Sequence, residues 1–96
     1  MNLQLEPKHY QIIQKILSKY PNYSFYAYGS RVKGTARKFS DLDLCYYDDV
    51  PFSVISQIEE EFEESDLPFM VELVNRKHMR PVFWEMIKKD LIKLEN

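Results

Sequence analysis

The sequence predicts a small α/β or α+β domain in which helices alternate with the strands of one sheet. Three observations support this class: apolar residues recur at helical spacing in three segments, short apolar runs lie between them, and proline or glycine marks most junctions. The 96 residues can bury one core, so residues 1–96 are predicted to form a single domain. The predicted order is α-β-α-β-α-β-α.

The first half of the chain is predicted to contain two helices and two strands. A first helix opens at Pro7 and ends at Pro21, because proline is tolerated at a helix start and disfavours the helical conformation before it. Its apolar face is formed by Ile12, Ile13, Ile16, Leu17 and Tyr20. The run NYSFYAY, residues 22–28, is too short for a helix and predicts a strand. The segment SRVKGTARK then predicts a short helix and a loop, and DLDLCYY, residues 41–47, predicts the second strand.

The second half is predicted to contain helix, strand and helix. A helix from Phe52 to about Ser65 places its apolar residues on one face. Residues 69–74, FMVELV, predict the third strand. A last helix over residues 79–94 is predicted because Phe83, Ile87 and Leu91 recur at i, i+4 and i+8.

Composition excludes several classes of protein. The net charge of −2 disfavours a general nucleic-acid binder, and the 45% apolar content disfavours a disordered chain. A single cysteine, Cys45, excludes an internal disulfide and is typical of a reducing compartment. We find no signal-peptide pattern and no apolar stretch of membrane-spanning length, so a cytoplasmic protein without membrane or direct nucleic-acid contacts is predicted.

The second strand carries two carboxylates where a core strand is otherwise predicted. Successive strand side chains point to opposite faces, so Asp41 and Asp43 share one face while the leucines between and after them take the other. Glu72 alternates in the same way in the third strand and joins the aspartates if the two strands are neighbours. Three close carboxylates resist joint ionisation unless a cation is present, and hard oxygen ligands suit Mg²⁺ or Mn²⁺. Asp41, Asp43 and Glu72 are therefore candidate catalytic residues and metal ligands.

The Gly29–Ser30 turn is the candidate phosphate site. It lies between a predicted strand and a predicted helix, where free backbone N–H groups and the helix dipole favour an anion. Glycine permits close approach of a ligand, and the serine hydroxyl adds a hydrogen-bonding group. Arg31 and Lys33 supply positive charge, so Gly29, Ser30, Arg31 and Lys33 are the candidate nucleotide-binding residues.

Each of these residues also has a simpler interpretation. Asp41 could be a turn or cap residue, since Ser-Asp is common in turns. Glu72 by itself is typical of a solvated strand residue, and the basic residues fit an exposed surface. The acidic run over residues 59–64 fits the solvated face of a helix or a partner contact. The basic stretch over residues 76–80 fits either an exposed helix start or a phosphate or partner contact.

The motifs YGSRVKG and SDLDL, followed by a later acidic strand, resemble the signature of the DNA polymerase β-like nucleotidyltransferase superfamily. The resemblance is greatest to the minimal nucleotidyltransferases, which include the MntA-type antitoxins. It implies the nucleotidyltransferase fold, a small mixed β-sheet flanked by about four helices. Two departures stand out: Lys33 replaces a common arginine, and Glu72 stands where aspartate is usual.

The resemblance also implies a reaction and a partner. We expect Mg²⁺-dependent transfer of AMP, from ATP or another NTP, to a hydroxyl acceptor, with a tyrosine of a HEPN-type helical protein from the same operon as the expected acceptor. The chain would be the antitoxin of a toxin–antitoxin pair, and a second copy of the chain is the other source of an acceptor site. The alternatives are a catalytically weak or inactive binding module that acts by complex formation with the HEPN-like partner, and transfer to a small molecule.

Overall fold

The structure is a computed structural model that describes residues 3–95. In chain order its helices and strands are α1 (Pro7–Leu17), β1 (Tyr26–Tyr28), α2 (Ser30–Lys33), β2 (Leu42–Tyr46), α3 (Phe52–Glu63), β3 (Val71–Asn75), α4 (Pro81–Ile87) and β4 (Ile92–Lys93). The strands form one sheet in the order β3-β2-β1-β4. The β2–β3 pair is parallel and the other pairs are antiparallel, so the predicted mixed sheet with flanking helices is confirmed.

The main core lies on the face of the sheet that α1 and α3 cover. α1 begins with Pro7 in its first turn, as predicted. The fully or almost fully buried side chains of the two helices are Ile13, Ile16, Leu17, Ile55, Ile58 and Phe62. They pack with Leu42 and Leu44 of β2, which leaves the side chains between those leucines to face the other side of the sheet.

The first strand is shorter than predicted. Residues 21–23 form a turn in which the Tyr23 N–H donates to the Tyr20 carbonyl, so the strand begins only at Tyr26. Pro21 explains the difference, because its fixed φ is suited to a turn directly after the helix.

The predicted helix over residues 79–94 is wrong in its second half. α4 ends at Ile87, a 3₁₀ turn follows over Lys88–Asp90, and β4 then pairs antiparallel with β1. This pairing satisfies the backbone N–H and C=O groups at the otherwise free edge of β1. It also places Leu94 in the main core at 1% exposure. Burial and backbone pairing thus override the helical spacing, and the sheet has four strands rather than three. Among residues 3–95, no helix is long and apolar enough to span a membrane.

Candidate active site

The candidate site lies on the sheet face opposite the main core. The strand register aligns Tyr28 of β1, Asp43 of β2 and Glu72 of β3 in one row across the sheet. Because paired residues point to the same face, Tyr28 and Glu72 are the direct neighbours of Asp43 on its two sides. α4 covers the adjoining part of this face, where Ile87 packs against Tyr28 and the buried Cys45.

Asp43 is held in an environment that disfavours its charged form. Burial raises the pKa of Asp43 to about 6, with further contributions from the nearby charges of Glu72 and Asp41 and from a side-chain hydrogen bond with Glu72. The structure therefore brings Asp43 and Glu72 into contact, and places Asp41 near enough to act on Asp43 electrostatically. A cation at this point would relieve the repulsion and allow both members of the pair to ionise.

The three carboxylates are not preassembled as a metal site. Within residues 3–95 no three His, Cys, Asp or Glu side chains converge closely enough to hold a metal ion. The contacting pair is Asp43 and Glu72, whereas Asp41 lies just before β2 and its side chain is exposed. The oxygen donors and the raised pKa of Asp43 fit a hard divalent cation, provided that the exposed Asp41 side chain turns towards the pair. The predicted metal-binding roles stay predictions.

Gly29 joins the candidate phosphate turn to the carboxylates. Its φ is +86°, a conformation that L side chains rarely adopt, and a Cβ at this position would lie 2.6 Å from Asp43 Oδ2. Its carbonyl accepts hydrogen bonds from the Val32 and Lys33 N–H groups, so Ser30 opens α2 immediately beside the carboxylate. The two parts of the site predicted from separate motifs are therefore in contact.

Arg31 is the buried member of the four candidate nucleotide-binding residues. Its side chain is 5% exposed and donates hydrogen bonds to the backbone carbonyls of Gln4, Lys38 and Ser40. The guanidinium also lies 4.1 Å from the centroid of the Phe69 ring. These hydrogen bonds support the loop that enters β2, and the predicted nucleotide contact of Arg31 stays a prediction. Lys33, by contrast, is exposed at the end of α2.

Substituting Arg31 with methionine is expected to destabilise the protein by about 3 kcal/mol, because a buried guanidinium that donates several charged hydrogen bonds to backbone carbonyls is lost. Urea denaturation monitored by circular dichroism would measure the loss. The control is Lys33→Met in the same short helix, which should change the free energy of unfolding by less than about 0.5 kcal/mol. Equal stability of the two variants would show that the Arg31 contacts do not support the fold.

An aromatic cluster beside Asp43 is a feature that sequence reasoning did not assemble. Tyr28 meets the edge of Phe83 at a centroid distance of 5.8 Å, and burial, followed by the charge of Asp43, raises the pKa of Tyr28 to about 12. Tyr47 packs between Tyr26 and Trp84, and Trp84 in turn lies under the Arg76 guanidinium. The available signal was the alternation of Tyr26 and Tyr28, but only the strand register shows that Tyr28 neighbours Asp43.

A comparison with models of known protein families matches most of the chain. The family model described as a nucleotidyltransferase domain matches residues 9–94, which includes every candidate site residue. The chain belongs to the nucleotidyltransferase domain family. The resemblance to minimal nucleotidyltransferases, the predicted fold and the enzyme class of nucleotidyltransferase are thereby confirmed.

Two individual proteins are also similar to this chain, one in sequence and one in structure. The chain is 38% identical over 90 residues to a probable protein adenylyltransferase MntA of Haemophilus influenzae, a match that covers 91% of this chain and 79% of the relative. A crystal structure of a toxin–antitoxin with AMP-PNP matches with a TM-score of 0.65 at 22% identity, over 88% of this chain and 71% of that one. At that identity the structural match shows a shared fold.

Proposed function

We propose that this nucleotidyltransferase transfers AMP from ATP, with Mg²⁺, to a tyrosine hydroxyl of a HEPN-type partner protein, as the antitoxin of a cytoplasmic toxin–antitoxin pair. The observation that supports the proposal most is the close approach of the Gly29 turn to Asp43, since the candidate phosphate turn then lies beside the carboxylate pair. The name of the MntA relative supports protein adenylylation, and the structural neighbour supports both an ATP-like nucleotide and a toxin as partner.

Each residue then has a defined task in the reaction. The Ser30 hydroxyl and the first N–H groups of α2 bind phosphate oxygens, with Lys33 adding positive charge. Asp41, Asp43 and Glu72 would hold the metal ion, which would neutralise phosphate charge. Glu72 accepts the proton of the acceptor hydroxyl. The acceptor oxygen forms a bond to the α-phosphorus, the bond to the β-phosphate oxygen breaks, and pyrophosphate leaves.

The test is transfer of label from α-labelled ATP to the purified protein encoded beside this chain. We expect label on a tyrosine of that protein with Mg²⁺, and loss of label with a chelator or with the Asp41→Asn, Asp43→Asn double variant. Label that persists in the double variant would refute the catalytic assignment. A stable complex without any label would instead support the binding-only antitoxin, in which the double variant neutralises the toxin as well as the unchanged chain does.

A further inference from the structure

An open cleft of about 740 Å³ lies beside the candidate active site. The loop before β2, the C-terminal half of α3 and the segment that enters β3 form its walls. Its lining residues that matter here are Phe39, Asp41, Glu59, Phe62, Glu63 and Met70. The Gly29–Ser30 turn is not part of this lining, so the cleft is distinct from the proposed phosphate site.

The cleft is continuous with the catalytic residues through Asp41, which forms part of its wall and also acts electrostatically on Asp43. Because α3 and Phe62 lie on the main-core side of the sheet, a molecule bound in the cleft would reach Asp43 and Glu72 by passing Asp41 around the end of β2. This position suits the second substrate, the acceptor, because the nucleotide phosphates are expected at the turn on the other side of Asp43.

The charge of the cleft indicates which kind of acceptor fits. The side chains that line it within residues 3–95 include three carboxylates and no lysine or arginine. Glu59 and Glu63 are four residues apart on α3, so both face the cleft from one side of the helix, while Asp41 faces it from the opposite wall. This lining repels a triphosphate and attracts lysine or arginine side chains.

The cleft carries exposed apolar side chains at its edges and buried ones between them. Phe39 is 64% exposed on one side and Met70 is 69% exposed on the other, with Phe62 and Phe69 buried between the walls. Exposed aromatic and methionine side chains that flank a concave surface are typical of protein contact sites. An apolar floor inside an acidic rim fits a protein segment that has an apolar anchor flanked by basic residues.

We propose that this cleft binds the acceptor protein through such a basic, apolar segment, so that the acceptor hydroxyl group is led past Asp41 towards Asp43 and Glu72. The proposal rests on the proposed function, since it names the surface that recognises the acceptor of that reaction. It explains why the acidic run on α3 is not merely solvated: Glu59 and Glu63 line the cleft, whereas Glu60 and Glu64 point elsewhere.

The test compares two double variants with the same change of charge, made at neighbouring positions in α3 and at the residue that directly follows it. Glu59→Lys, Glu63→Lys reverses the cleft wall, and Glu60→Lys, Glu64→Lys makes an equal change at exposed positions outside the cleft lining. With the purified protein encoded beside this chain, we expect the cleft variant to raise both the KM for that protein and the Kd of the nucleotide-free complex by about tenfold or more. The KM for ATP should stay unchanged, and the control variant should behave like the unchanged chain.

A second pair of variants tests the apolar contact without altering charge. Met70→Gln lies in the cleft and Met86→Gln lies on the exposed side of α4, so the first should weaken the complex and the second should not. Equal binding by each variant and its control would overturn the proposal, as would a cleft variant that raises the KM for ATP alone. Failure of label transfer with an intact, cleft-dependent complex would refute the proposed function and leave this surface assigned.

Discussion

Replacing Asp43 with asparagine is expected to abolish nucleotidyl transfer and, at the same time, to make the ligand-free protein more stable at pH 7. Both effects have one cause. The folded protein holds the Asp43 carboxyl beside Glu72 and partly out of water, which disfavours its ionised form. The proposed metal would require that ionised form, whereas the ligand-free protein is destabilised by it.

The expected sizes of the two effects differ greatly. Loss of a carboxylate ligand removes several kcal/mol of stabilisation from the transition state, so transfer should fall by at least about 10³-fold. A pKa raised from 3.8 to about 6 corresponds to an upper limit of about 3 kcal/mol, which partial exposure to solvent reduces to about 1–2 kcal/mol. An increase of that size should raise the Tm by about 5–10 °C in a chain of this length.

The stability gain should depend on pH in a defined direction. Asp43 binds its proton more tightly in the folded chain than in the unfolded chain, because its folded pKa is the higher one. Protonation of Asp43 therefore contributes fully to the free energy of unfolding below about pH 4, and this contribution is lost as the pH rises through about 6. Urea unfolding with chelator present should show similar stability for the two proteins near the acidic limit and a difference that grows towards pH 7.

Asp49→Asn is the matched control, since Asp49 is an exposed aspartate whose pKa is lowered by its contact with Lys77. That substitution should leave transfer intact and should not stabilise the protein at pH 7. Retained transfer by Asp43→Asn, or a lower stability than that of the unchanged protein at pH 7 without metal, would contradict these roles of Asp43.

The position of the carboxylate pair follows from the sequence because strand periodicity is local. Alternation placed Asp43 opposite its leucine neighbours without any knowledge of the fold. The meeting with Glu72 depended on β2 and β3 being neighbours, and the parallel register that pairs these two residues confirms that condition. The finer claim, that three carboxylates form one metal site, needs the rotamer of Asp41, which no sequence pattern specifies.

Two other features depend on contacts distant in sequence. The 79–94 segment has helical spacing, yet its end pairs with β1 some 65 residues earlier, and residues 92–93 become a strand. Arg31 has a charge that suits either a phosphate contact or a buried network. Only the fold brings Gln4, Ser40 and Phe69 around its guanidinium. The residue type alone does not distinguish a phosphate contact from a buried network, because either one satisfies the N–H donors of the guanidinium.

Substituting Gly29 with alanine is the other change from which we expect a large effect. The methyl group would meet Asp43 Oδ2 at 2.6 Å, so the carboxylate or the turn must shift by about 1 Å, a displacement that can reduce the rate by about 10²-fold. The positive φ of Gly29 adds a backbone cost of about 1–2 kcal/mol to the loss of stability. We therefore expect a folded but less stable protein with a greatly reduced kcat.

Gly34→Ala separates the steric contact from the cost of a positive φ. Gly34 has a φ of +76°, but a Cβ at this position would meet nothing within 4 Å. The Gly34→Ala variant should keep most of its transfer activity and lose less stability than Gly29→Ala. Gly34 is left-handed helical with a ψ of 18°, whereas the ψ of −153° at Gly29 belongs to a region that essentially only glycine adopts. Thermal unfolding and label transfer, measured side by side, would test the pair. If both variants lose kcat equally, the loss comes from the backbone of the 29–34 segment, and contact with Asp43 does not govern the rate. If only Gly29→Ala loses it, the close approach of the phosphate turn to the carboxylate is what positions the reacting groups.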